Sequence, residues 1–223
     1  MASNKKIDRA LNGPGMFEIT LGVLLSLTLG VLLAALHLIF KPVEIVDKPV
    51  EAPERGQVYF VEGSSNTSKA RQGTRKRQML AEGNSADVSF NEEELNAWMA
   101  SATQQPQAGS AGASELFTPE RVNFRIREGV LHVGLLGKLK AVGLNQDLVF
   151  QTSGTFAQGA DGYEFVADEL YIGSLPTHIV PGLTPMLMKR ILAAQELPED
   201  LRIMWKKLKL VAVEDNSLRL VLP

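Results

Sequence analysis

Three histidines, two adjacent pairs of acids and one basic cluster are the residues of this chain that could carry chemistry, and their spacing limits what each can do. His37, His132 and His178 each lack a second ligand at the i+3 or i+4 position that a helical zinc site needs, so no metal site is expected. Asp168 and Glu169 fall in a strand pattern, where neighbours point to opposite faces, so this spacing does not make them a dyad. Glu199 and Asp200 sit in the first turn of an expected helix, where the helix dipole accounts for them. No serine lies in a GxSxG context, and no glycine-rich phosphate loop precedes a helix. With no cysteine, thiolate nucleophiles, thiolate metal sites and disulfides drop out together. The expectation is a protein with no catalytic residues and no cofactor.

What remains is basic and apolar. Lys69, Arg71, Arg75, Lys76 and Arg77 are concentrated on a helix expected over 66–81, and such a cluster either docks on anionic lipid headgroups or is a solvated helix face. No aromatic residues interleave with it, and the formal net charge of the chain is -2 with a pI near 6.0, so nucleic acid is not an expected partner.

Residues 19–40 read ITLGVLLSLTLGVLLAALHLIF, without Asp, Glu, Lys or Arg. At about 1.5 Å per residue this run covers roughly 33 Å, enough for a hydrocarbon core of about 30 Å, so one transmembrane helix is expected. It is longer than the apolar region of a signal peptide and ends in Leu38, Ile39, Phe40 and Lys41 rather than in a small-x-small site, which makes it an uncleaved anchor. Residues 1–18 would be a short cytoplasmic tail: basic residues tie on the two sides, but those of the tail are concentrated, and a single anchor before a long domain commonly exports that domain. Gly22, Ser26, Gly30 and Ala34 recur every four residues and would let two such helices approach closely, giving a homodimer. His37 lies near the end of the span as an interfacial residue.

Residues 41–56, with Pro42, Pro49 and Pro53, read as an extended spacer, and 57–223 as one extracytoplasmic domain of ordinary size. In that domain 57–61 can form a short strand, and the helix at 66–81 is interrupted by Gly73 and closed by Gly83. A firm helix start lies at Asn91, which as N-cap forms a capping box with Glu94, while Phe90 and Leu95 occupy the staple positions; the acids of its first turn are explained by the dipole. A low-complexity loop covers 104–114. From Arg121 the period becomes two: 121–127 and 130–135 flank a turn at Glu128-Gly129, 147–157 and 163–172 flank a turn at 159–162, and 209–213 and 218–222 flank Glu214-Asp215-Asn216. Thr184 and Pro185 suit N-cap and N1 of a helix carrying Met186, Leu187, Ile191 and Leu192, and another short helix begins at Pro198. The fold class is α+β: one N-terminal transmembrane helix, then an antiparallel curled sheet packed with helices.

Alternation in the central strands is imperfect. On simple parity, one face of 163–172 gathers Tyr163, Phe165, Ala167 and Tyr171 and the other Val166, Leu170 and Ile172, and 131–144 behaves similarly. Both faces should then be covered, by the chain's own helices, by a partner or by an acyl chain. The candidate apolar groove comprises Leu131, Val133, Leu135, Phe150, Phe165, Tyr171, Met186 and Met188, with methionine suited to variable ligands. The entry FNEEELN at 90–96, LYIGSLP at 170–176, the Met- and Leu-rich helix and VAVEDNSLRL at 211–220 resemble bacterial membrane-anchored envelope domains of the YpmS-like and LmeA-like kind, which are similar to the tubular lipid-binding superfamily. The resemblance implies an elongated sheet curled around a helix with a lipid-accessible groove, and no catalytic residues. The functional expectation is lipid or acyl-chain binding beside the membrane, with a non-catalytic, self-associating envelope scaffold as the alternative.

Overall fold

An apolar run uncharged from Ile19 to Phe40 suits a helix, which satisfies its own backbone, and α1, Met16–Phe40 with Glu18 in its first turn, forms one of 25 residues, about 37 Å at 1.5 Å per residue. None of its residues is buried, and it is long and apolar enough to cross a membrane. Two of its hydroxyls are satisfied internally: Thr20 and Thr28 donate to the carbonyls of Met16 and Leu24 at 2.9 and 2.8 Å. The computed structural model describes residues 13–47, 58–62, 66–82, 86–103, 117–141, 144–159, 162–193 and 199–223. The chain divides into two compact units, Met1–Ile39 and Phe40–Pro223.

The second unit is α+β. A five-stranded antiparallel meander runs through β4 (Phe117–Arg127), β5 (Val130–Ala141), β6 (Leu144–Gly159), β7 (Gly162–Ile172) and β8 (Leu175–Pro176), each strand beside its sequence neighbour. The β4–β5 turn places Glu128 and Gly129 at φ of 52° and 75°, the paired positive values of a type I′ hairpin. A smaller sheet orders β3 (Asp87–Asn91), β10 (Ser217–Val221) and β9 (Leu210–Glu214). β3 escapes a reading that treats Phe90 only as a helix staple: Phe90 does join Leu95 in one buried cluster, but from within a strand paired with β10.

Helices α2 (Thr67–Ala81) and α3 (Glu92–Thr103) pack on each other, and the contact assigns Gly73 a role other than the expected interruption. α2 continues through it, and a Cβ there would lie 2.9 Å from the carbonyl oxygen of Glu94 and 3.0 Å from Cβ of Trp98. Gly73 is where the two backbones cross. The capping box forms in both directions, with the Glu94 N–H donating to Asn91 Oδ1 at 2.9 Å and the Asn91 N–H donating to Glu94 Oε2 at 3.1 Å. The three acids that follow do more than complement the dipole. Glu92 accepts from the Ile126 N–H and from Arg127, both at 2.6 Å, Glu93 pairs with Lys69 at 3.6 Å, and buried Glu94 is held by Lys76 at 2.7 Å. α3 is thereby tied to α2 on one side and to β4 on the other.

Two further expectations change. Glu44–Val46, inside the segment read as spacer, is strand β1, paired in parallel with β2, Tyr59–Val61. Helix α4 (Leu183–Ala193) begins before Thr184, whose hydroxyl lies 3.3 Å from that of Thr177 while Thr177 donates to the Leu170 carbonyl at 2.8 Å, so Thr184 contributes to pinning α4 beside β7 instead of capping it. Helix α5 (Glu199–Lys207) supplies Met204 and, partly buried, Trp205 to the main core, with Leu208 just beyond it; there they join Leu80, Val88, Phe90, Ile126, Leu131, Leu218 and Leu220. Gly83, the loop 104–114, the tail 1–12 and spacer residues 48–56 lie outside the described residues.

Candidate functional site

Strand parity along β7 is broken by one residue. Ser153 pairs with Glu169 and Gly154 with Ala167, so Asp168 is an extra residue, a β-bulge. The bulge returns Leu170 and Ile172 to the face that already holds Tyr163, Phe165 and Ala167, and sends Tyr171 to the other with Glu164, Val166 and Glu169. The apparent two-faced apolarity of this strand therefore resolves into one apolar face and one mainly polar face. Tyr171 leaves the expected groove for the same reason.

On the apolar face, Leu131 is 4% exposed and belongs to the main core, with Val133 and Phe165 packed against that core, so these three expected groove residues are structural. Leu135 and Phe150 differ. Strand pairing sets them in one row, Val122–Leu135–Phe150–Ile172–Leu175, which crosses all five strands. Every member is half-buried, and none belongs to or packs against either buried cluster. At about 4.8 Å between strands the row is roughly 19 Å long. Phe117 borders it: its ring lies over Gly137, where a Cβ would collide with it, and meets Phe150 edge-on at 5.1 Å. Val122, Ile172 and Leu175 are the members that sequence reasoning missed, because only pairing across strands aligns them. Met188 is half-buried on α4, and Met186 is exposed.

Part of the opposite face of the sheet is covered by the chain itself. β2 lies over it, held by side chains reaching up to its backbone: Asn123 Nδ2 donates to the Val61 carbonyl and Gln151 Nε2 to the Tyr59 carbonyl. Phe60 seats in the space left by Gly134, with its ring 3.1 Å from where a Cβ would stand, and packs on Leu136 and Val149. Between β2 and the sheet lies a cavity of about 60 Å³ lined by Asn123, Arg125, His132, Ser153, Glu169 and Tyr171 among others. Its volume is far below the several hundred Å³ of a typical organic-ligand pocket, and its lining is polar, so it is no acyl-chain site. Burial, assisted by the charge of Arg125, lowers the His132 pKa from its ordinary value, and burial followed by the charge of Glu169 raises that of Tyr171. Among the described residues no group of three or more acidic or histidine side chains could hold a metal ion.

The basic residues of α2 divide. Lys76 is committed inward, donating to Glu94 and, at 2.7 Å, to the Ser89 carbonyl. Lys69 pairs with Glu93, and the Arg77 guanidinium lies over the Trp98 ring at 6.0 Å. Arg71 and Arg75 are exposed. The structure thus does not present the five cations as one headgroup-facing cluster. Gly22, Ser26, Gly30 and Ala34 all lie on α1, and among the described residues nothing beyond the adjoining helix backbone lies within 4 Å of where a Cβ at Gly22 or Gly30 would be. No protein-family model matches this chain, and no curated protein or solved structure matches it either.

Proposed function

We propose that this chain is a single-span membrane protein whose α+β unit holds lipid acyl chains against the half-buried apolar row. The row itself carries the reading: Val122, Leu135, Phe150, Ile172 and Leu175 form a continuous apolar strip left out of both cores. A helix long and apolar enough to cross a bilayer keeps the unit beside a supply of such chains. The absence of charge along the strip suits an apolar ligand, and the resemblance of 90–223 to YpmS-like and LmeA-like envelope domains points the same way. Each methylene removed from water contributes about 0.8 kcal/mol, so ten on the row would give roughly 8 kcal/mol before ordering costs. In this reading the domain lies outside the cytoplasm, as the concentrated basic charge of Lys5, Lys6 and Arg9 before the span favours.

The full chain, reconstituted in vesicles containing a phospholipid with a photoactivatable acyl chain, tests this. Irradiation should label peptides bearing Leu135 and Phe150 in addition to α1. The double substitution Leu135→Glu and Phe150→Glu should remove the first label and spare the second, because a carboxylate against hydrocarbon costs several kcal/mol. Label confined to α1 in the unsubstituted chain would refute lipid binding by the row. If that result came with chains that self-associate in the same vesicles and separate on Gly30→Leu, it would favour the second reading, a scaffold associating through the Gly22 and Gly30 face.

A further inference from the structure

We infer that the loop leading into α4 is a membrane-contact surface of the α+β unit, dipping into the lipid headgroup and upper acyl region. Residues 170–188 contain no Asp, Glu, Lys or Arg, and Lys189-Arg190 follow at once. Leu170 is buried and Ile172, Leu175, Leu183, Leu187 and Met188 are half-buried, but five apolar side chains around the turn face outward: Ile179 is 70% exposed, Val180 52% and Met186 51%, with Pro181 and Pro185 also exposed. Water is a poor neighbour for such a cluster, and isolated exposed apolar residues do not normally gather in one short loop. The loop is a firm platform. The Thr177 hydroxyl donates to the Leu170 carbonyl, the Val180 N–H donates to the Thr177 carbonyl at 3.2 Å and the Leu183 N–H to the Val180 carbonyl at 3.1 Å, so Ile179 and Val180 project from a closed turn.

A bilayer fits this surface better than a protein partner does. Apolar side chains that insert shallowly, followed directly by an exposed cation, Lys189, that can meet anionic headgroups, are the pattern of interfacial membrane contact. The same chain carries a helix that can cross a bilayer, which would hold the loop near that surface at high effective concentration. The inference rests on the membrane-anchoring part of the proposed function and adds a second, shallow contact through which acyl chains could pass between bilayer and domain.

The chain has no cysteine, so a single Ile179→Cys substitution carries an environment-sensitive fluorophore at one defined place. Full chain so labelled is reconstituted in phosphatidylglycerol-containing vesicles, with Thr155→Cys, exposed on β6, as the control. The label at 179 should emit at shorter wavelength and be quenched several-fold more than the control by lipid spin-labelled in the upper acyl chain. Lys189→Glu should reduce that quenching. A label at 179 that stays water-like, or is quenched no more than the control, overturns the inference. So does a blue shift that depends on protein concentration and not on spin-labelled lipid, since a second copy would then be the occupant. Carbonate washing separates the levels: a chain lost from the vesicles refutes the anchoring reading and this inference with it, whereas a retained chain with residue 179 in water refutes only the loop contact.

Discussion

Replacing Gly73 by alanine separates two accounts of α2 by the sign of the effect. Were Gly73 an interruption in an ordinary helix, alanine would stabilise the protein by about 1 kcal/mol through helix propensity alone. The structure puts a Cβ at this position 2.9 Å from the Glu94 carbonyl oxygen and 3.0 Å from Trp98 Cβ, and neither atom is the end of a flexible side chain. The helices must therefore separate by some tenths of an ångström. Overpacking of this kind costs about 1 to 3 kcal/mol, enough to cancel the propensity gain and leave up to about 2 kcal/mol of net destabilisation. Separation would also strain the Lys76–Glu94 pair, less than a turn further along α2, where the Nζ to Oε2 distance is 2.7 Å. Urea unfolding of the full chain in detergent micelles, followed by tryptophan fluorescence, reads the change directly, because one of the two tryptophans, Trp98, stands at the crossing. Thr74→Ala, at an exposed neighbouring position, is the control and should stabilise by a few tenths of a kcal/mol. A Gly73→Ala chain more stable than the parent by about 1 kcal/mol would refute the crossing.

Truncating Phe60 to alanine should cost about 3 to 4 kcal/mol, measured by the same unfolding assay, since this 1%-exposed ring fills the space over Gly134 and packs on Leu136 and Val149; a loss below about 1 kcal/mol would mean that β2 does not seat on the sheet. Stability should also fall as the pH drops below about 6.5, the ordinary histidine value, because burial and Arg125 hold the His132 pKa lower in the folded chain and the unfolded chain takes up the proton first. Arg127 acts in the same direction, Glu92 and Glu169 oppose it, and His132→Gln should flatten the profile just below the ordinary histidine value, whereas Asp87, lowered by its hydrogen bond from Arg219, acts only in the more acidic carboxylate range.

Of the candidate site, the sequence reached Leu135 and Phe150 and placed them on strands, but it could not distinguish them from Leu131, Val133 and Phe165. All five share the same face and the same chemistry. What separates them is coverage: the small sheet and the helices contribute the core that takes in Leu131, with Val133 and Phe165 packed against it, and leave the row of Leu135 and Phe150 half open. Tyr171 was misplaced because an extra residue at Asp168 reverses parity, and nothing in the local pattern announces a bulge that exists only relative to β6.

Features that depend on near neighbours were legible from the residues alone. The run from Ile19 to Phe40 pointed to a helix because a helix satisfies every backbone group within one isolated apolar segment, the Asn91–Glu94 box marked the start of another, and Glu128-Gly129 marked a hairpin turn. Packing between distant elements is what makes Gly73 a crossing point, Lys76 half of an internal ion pair with Glu94, and β2 a strap over Gly134. Each of these joins residues well separated along the chain. Local propensity cannot encode which glycine will meet a backbone or which lysine a buried carboxylate, because both follow from how the hydrophobic faces of separate elements come together in space.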